Sequence, residues 1–312
     1  MLDSLGFIIG TTLMYSTPLI YAALGGVVSE NSGVVNIGLE GMMTIGALAG
    51  ATVGFYYGNP WLAFLAAGLA GGGLALLHAI ACVTFDADQV VSGIAINFLG
   101  PGLALFLSRL FFEGATMTKA IPLDNKMPRP LNGVFPRNSF FDLVFNQYAT
   151  VYMAFLLVFI IWYLLYKTKL GLRIRAVGEH PRAVDTLGVN IYNIRYLCVI
   201  LSGALAGFGG ASMSLAIVSN FRPTLISGHG FIALAAMIFG KWKPQGAMWA
   251  CLLFGVSNGL VVYLGRADAP FEISVQILSM LPYVLTLIVL MGFVGRANAP
   301  AAVGTPYEKG ER

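Results

Sequence analysis

Apolar residues run along this chain in blocks of about twenty, and polar residues gather between the blocks. A hydrocarbon core about 30 Å thick needs roughly 20 residues per helical crossing. The pattern therefore predicts spans near 5 to 28, 33 to 57, 60 to 84, 89 to 112, 148 to 166, 196 to 218, 229 to 240, 244 to 264 and 275 to 294. The seventh is short for a full crossing. The blocks leave no room for a soluble catalytic domain or a long disordered tail, so residues 1–312 are expected to form one membrane domain. With backbone polar groups needing internal partners in lipid, the expected fold class is an all-α integral membrane protein, a polytopic bundle of about 8–10 transmembrane helices.

Charge placement orients the blocks. Lys167, Lys169, Arg173, Arg175, Arg182 and Arg195 form the densest basic cluster in the chain, and basic residues in short loops mark the cytoplasmic side. From that anchor, the segment at about 167–195, the turn with Lys241 and Lys243, and the tail at about 295–312 with Arg296, Lys309 and Arg312 are cytoplasmic. The segment at about 113–147 is extracellular. The N-terminus comes out external only if the number of spans is odd. The external segment has Pro122, Pro128, Pro130 and Pro136 among polar residues, which suits an irregular loop or a short surface helix.

Composition agrees: 57% of residues are hydrophobic and 10% charged, against about 25% charged in soluble domains. The small positive net charge does not suggest nucleic-acid binding. Cys82, Cys198 and Cys251 each lie inside an apolar run without metal-ligand spacing and read as small core residues. The opening MLDSLGFIIG lacks a basic n-region, and its apolar block is too long for a signal peptide, so it reads as a retained first span. Gly46, Gly50 and Gly54, Gly203 with Gly207, and Gly255 with Gly259 repeat at four-residue spacing, which lets helix backbones approach closely.

Few polar groups interrupt the spans. Asn36 and Glu40 are four residues apart, a spacing that places both on one helix face. Intramembrane ionisable residues are costly and face a protein interior or a water-filled path. Glu40 therefore lines a pathway or braces a broken helix, or instead bonds to backbone groups at a glycine break between Gly38 and Gly41. Asn97 could contact a solute or join helices, and Asn258 is a further pathway candidate beside Ser257. His78 reads as a satisfied core histidine. Lys241, Trp242, Lys243 and Pro244 form a tight basic turn with an interfacial aromatic.

No GxxxxGK(S/T) phosphate-binding loop or HExxH motif is present. No cofactor is therefore expected on this chain, and any ATP and magnesium must belong to another. The most informative polar stretch is GLRIRAVGEHPRAVDTLGVNIYNIR. Pro181 suits a first helical turn and Gly188 a helix end, which makes a short amphipathic helix between basic flanks. By itself it is either a solvated connector or a docking helix.

That stretch, followed by LSGALAGFGGASMSLA, resembles the coupling-helix region of permease subunits of ABC importers of the ribose and branched-chain amino acid type. SGVVNIGLEGMMTIGALAG, DADQVVSGIAINFLGPGLALFLSR and GHGFIALAAMIFGKWKPQGAMWACLLFG narrow the likeness to the nucleoside branch. The resemblance runs from about Tyr21 to Gly292. It implies a type II-like importer permease fold, alternating access and no catalysis on this chain. It also implies a second permease chain, a distinct paralogue, with a cytoplasmic ABC ATPase and an extracellular lipoprotein receptor as partners. Arg173, Arg175, Glu179, Pro181, Arg182, Asp185 and Gly188 would then meet the ATPase, and the 113–147 segment could touch the receptor. Ribose-type sugars or branched-chain amino acids are the other cargo the same machinery would carry; a carrier without an ATPase fits less well, because Glu40 stands nearly alone in the spans.

Overall fold

The computed structural model describes residues 2–265 and 298–307, with single positions at 274, 277, 278, 280, 281, 284 and 288. The expected span at 275–294 lies largely outside the described residues, as do Arg296, Lys309 and Arg312. All regular structure among the described residues is helical. In chain order the helices are α1 (Leu2–Glu30), α2 (Leu39–Tyr57), α3 (Pro60–Ala79), α4 (Gln89–Phe111), α5 (Phe140–Phe145) and α6 (Ala149–Lys167). There follow α7 (Lys169–Glu179), α8 (Pro181–Thr186), α9 (Ile191–Ser212), α10 (His229–Phe239) and α11 (Pro244–Leu264). One-turn π segments extend α3 to Thr84 and α9 to Ile217.

Six of these helices are long and apolar enough to cross a membrane: α1, α3, α4, α6, α9 and α11. Two expected spans differ. The block at 33 to 57 begins as non-helical chain and becomes helix only at Leu39. The block at 229 to 240 is an 11-residue helix, about 17 Å long at 1.5 Å per residue, or roughly half of the hydrocarbon thickness.

Small residues set the helix packing. A Cβ added at Gly46 would lie 2.4 Å from the Gly207 Cα, one at Gly71 2.3 Å from the Gly203 carbonyl oxygen, and one at Gly207 2.2 Å from the Ala67 carbonyl oxygen. Helices α2, α3 and α9 thus meet backbone to backbone, the close approach that small residues permit in lipid. Gly255 does the same for α11 against Thr12 of α1, where a Cβ would come within 2.7 Å of a carbonyl. Beside this centre Phe64 stacks on Phe208 with ring centroids 4.5 Å apart, and the Tyr21 hydroxyl donates to the Thr150 carbonyl at 2.9 Å.

The bundle has a basic face and an opposite face. On the basic face lie α7, α8 and the turn at 241–243; Asn31 Nδ2 donates to the Trp242 carbonyl at 3.1 Å, and Trp242 Nε1 donates to the Glu30 carboxylate at 2.5 Å. On the opposite face the start of α1 packs against α5, where a Cβ at Gly10 would meet the Leu143 carbonyl oxygen at 2.1 Å. The N-terminal end of α1 therefore shares a face with the 113–147 segment. That segment contains a 3-10 turn (Leu123–Asn125) and α5, and it is laced onto the end of α9. Thr118 N donates to Phe221 O, Ile121 N to Ser219 O and Met127 N to Leu215 O at 2.8–3.3 Å.

Candidate functional site

Residues 31–38 separate α1 from α2 and are largely buried, and buried non-helical backbone survives only where its polar groups find partners. Here distant side chains supply them. Gln89 Oε1 accepts from Val35 N at 2.7 Å, and His78 Nε2 lies 3.0 Å from Val35 O. Because a carbonyl can only accept, His78 carries its proton on Nε2, and its Nδ1 accepts from the Ser92 hydroxyl at 2.8 Å. Both ring nitrogens are engaged, so His78 is a satisfied core histidine.

Asn97 closes the far side of the break: Nδ2 donates to Ile37 O and Oδ1 accepts from Gly41 N, each at 2.9 Å. Its amide therefore spans the junction between extended chain and helix. Asn36 is fully buried and donates from Nδ2 to Ser202 Oγ at 2.8 Å, while its Oδ1 has no partner among the described residues. Asn36 precedes α2, so it does not share a helix face with Glu40 as the spacing suggested. The glycine-rich run Gly33 to Gly41 interrupts the helix between them.

Glu40, in the first turn of α2, reaches across to α10. Its two carboxylate oxygens accept from Gly228 N at 2.5 Å and Gly230 N at 2.7 Å. The exposed amides are those at the start of α10, which follows the non-helical stretch 218–228, and not those beside Gly38. A Cβ at Gly230 would lie 2.5 Å from Glu40 N, so glycine is what lets α10 start against the backbone of α2. The N-terminus of a helix carries unsatisfied N–H groups and a partial positive charge, which an anionic side chain neutralises. Glu40 is half-buried. Asn258 is half-buried on α11, which packs against α1 and α10, and it is not drawn into either break.

The basic connector folds as an elbow. α7 starts on a Thr168 cap that accepts from Gly171 N at 3.1 Å, Pro181 opens α8, and Gly188 leaves it with φ +76°, in keeping with the order of Pro and Gly in the sequence. Arg173, Glu179, Arg182 and Gly188 are exposed, while Pro181 is half-buried. Arg175 and Asp185 turn inward. Arg175 Nε donates to Leu165 O at 3.0 Å with its guanidinium 4.8 Å from the Tyr166 ring, and the Asp185 carboxylate lies beside the Tyr307 phenol, which burial and that carboxylate hold above its ordinary pKa. Leu172 and Leu187 stand out beside the arginines, 62% and 80% exposed.

Gln89, Ser92, Ser202 and Glu30 are the members of this site that sequence reasoning passed over. Gln89 carried a signal: a polar amide at the first turn of an apolar helix, straight after Asp86 and Asp88.

The family model for the branched-chain amino acid transport system permease component matches residues 8–290. The chain belongs to this family. It is 46% identical to the guanosine ABC transporter permease protein NupQ of Bacillus subtilis, over 99% of this chain and 98% of that protein. It is 42% identical to the nucleoside ABC transporter permease protein NupC of Lactococcus lactis, over 98% of each. The guanosine ABC transporter permease protein NupP, also of Bacillus subtilis, is 25% identical over 86% of this chain and 77% of that protein. The chain is a multi-pass permease subunit of the bacterial cell membrane, as its six long apolar helices and its relatives agree.

Proposed function

We propose that this permease takes up nucleosides by alternating access, driven by a separate ATPase. The observation that carries the cargo is end-to-end identity of 46% and 42% with a guanosine and a nucleoside permease. The geometry supports the mechanism. The helices that follow the interruptions at 31–38 and 218–228 meet through Glu40, and discontinuous helices whose N-termini point at substrate sites recur in transporters. Glu40 and the first turn of α10 border the pathway in this reading, and Asn36 and Asn97 hold the break in shape. A nucleoside is uncharged, so a carboxylate already neutralised by helix amides can accept a ribose hydroxyl without presenting a bare charge.

The basic face is cytoplasmic and receives the ATPase, which holds ATP and magnesium, at the α7–α8 elbow; the opposite face receives a lipoprotein receptor. The partner permease is a paralogue of the NupP kind, because Bacillus subtilis contains both a close and a distant relative of this chain, each described as a guanosine permease. Uptake of labelled guanosine or uridine by cells with and without the chain, challenged with excess ribose, leucine or unlabelled nucleoside, tests the cargo. Chain-dependent uptake blocked only by nucleosides supports it. Ribose or leucine uptake lost in its place overturns the cargo and leaves the permease.

A further inference from the structure

Residues 300–307 return to the basic face and cross the seam between the elbow and the α1–α2 break. Ala302 N donates to Gly178 O at 2.8 Å and Ala301 N to a Glu179 carboxylate oxygen at 3.3 Å, at the end of α7. Two residues on, Gly304 N donates to Gly33 O at 3.2 Å, inside the break. Tyr307 then packs edge-on to Tyr192, with centroids 5.8 Å apart, and accepts from the Tyr192 hydroxyl at 3.2 Å through its carbonyl. Beneath the crossing sits Arg195, 1% exposed, whose Nη1 donates to Thr305 O at 3.2 Å. Its Nε and Nη2 have no partner among the described residues.

We propose that residues 300–307 are a strap that makes the α7–α8 elbow and the α1–α2 break move as one body, with Arg195 as the positioning residue that holds the strap. The inference rests on the permease reading only in taking the elbow as the place where the ATPase acts. The seam itself is tight: a Cβ at Gly178 would lie 2.2 Å from Asn31 O, and one at Gly33 3.1 Å from Arg195 Nη2 and 3.2 Å from Ala302 O. Backbone in contact across a seam can still slide. A chain bonded to both sides opposes sliding, and a buried guanidinium with one acceptor is held in place by that acceptor, since leaving it unpaired in the interior is costly. Removing the strap opens Arg195 to water, hydrates the seam, and lets the elbow shift without carrying the break.

The test compares the full chain with truncation after Ala299, Arg195→Met and Arg195→Lys, each assembled with its partner chains in lipid nanodiscs. Amide exchange at 31–38 is read on every variant, and solute uptake per ATP hydrolysed is read in proteoliposomes. The expected result is retained assembly, exchange at 31–38 faster by about tenfold, and uptake per ATP lower by a similar factor. Arg195→Met behaves like the truncation, and Arg195→Lys recovers part of the coupling. Unchanged exchange and unchanged uptake per ATP in the truncated chain would overturn the strap. So would loss of membrane insertion or of ATPase association in step with uptake, which would make the tail a plain part of the fold. A full-length chain that binds no ATPase would sink the permease mechanism while the exchange comparison still judged the strap.

Discussion

Glu40 spends both carboxylate oxygens on amides of a different helix, and that arrangement decides what each substitution there should do. Glu40→Gln keeps one carbonyl oxygen as an acceptor but sets an amide NH2 against a backbone N–H. Hydrogen bonds to charged groups contribute about 1.5–3 kcal/mol, so the α2–α10 contact should weaken by about that much and nucleoside uptake fall about tenfold or more at equal membrane content. Normal initial rates with unchanged concentration dependence would remove Glu40 from both pathway and contact. Asn97→Leu strands Ile37 O and Gly41 N, the two backbone groups its amide satisfies. Side-chain bonds between membrane helices average only about 0.6 kcal/mol, because the alternatives are also bonded. Asn97 stands between Ile37 O and Gly41 N at the entry to α2, where the first N–H groups of a helix lack intrahelical partners, so the larger penalty of about 1–3 kcal/mol per unsatisfied group applies. Thermal unfolding in detergent should show Asn97→Leu well below the parent, and an unchanged midpoint would mean the break finds other partners.

At the scale of helices, glycine position rather than glycine content controls packing. Gly71 and Gly73 sit two residues apart on α3 and face opposite ways. A Cβ at Gly71 meets the Gly203 carbonyl oxygen at 2.3 Å, and one at Gly73 meets nothing within 4 Å. Alanine gains about 1 kcal/mol over glycine in a helix interior, so Gly73→Ala should leave the melting temperature unchanged or raise it. Gly71→Ala must push α3 off α9 and should lower it sharply; equal midpoints for the two would mean the helices are less closely engaged than their backbones indicate. The same contrast explains what could be read in advance. The spans at 60 to 84, 89 to 112, 148 to 166 and 244 to 264 and the short helix opened by Pro181 were legible, because apolar run length and Pro or Gly punctuation are local signals. The break at 31–38 was visible as an oddity around Asn36 and Glu40. Its geometry was not, since the residues that satisfy it, His78, Gln89, Asn97, Ser202 and Gly228, are brought there by folding.

For the whole molecule, the question raised by the proposed function is what would hold an ATPase to the elbow. Among the charged residues sequence reasoning pointed to, Arg173, Arg175, Glu179, Arg182 and Asp185, Arg175 and Glu179 are bonded within their own chain, and Asp185 is half-buried beside Tyr307. The remaining exposed charges would form ion pairs at a wetted rim, each contributing about 0–1 kcal/mol and screened by salt. Leu172 and Leu187, 62% and 80% exposed on the same elbow, can each contribute about 1.5–3 kcal/mol on full burial. The apolar pair should therefore dominate the equilibrium, with the arginines setting salt sensitivity. Leu187→Ser is expected to weaken ATPase binding by about 10-fold to 100-fold, little changed between low and high salt, whereas Arg182→Ala should cost less and lose its effect as salt rises. Titration of purified ATPase against the permease in nanodiscs at two ionic strengths separates them. If Arg182→Ala proved the more damaging at every salt concentration, the elbow would be a charge-recognition surface, and its exposed leucines would have to find their partner elsewhere.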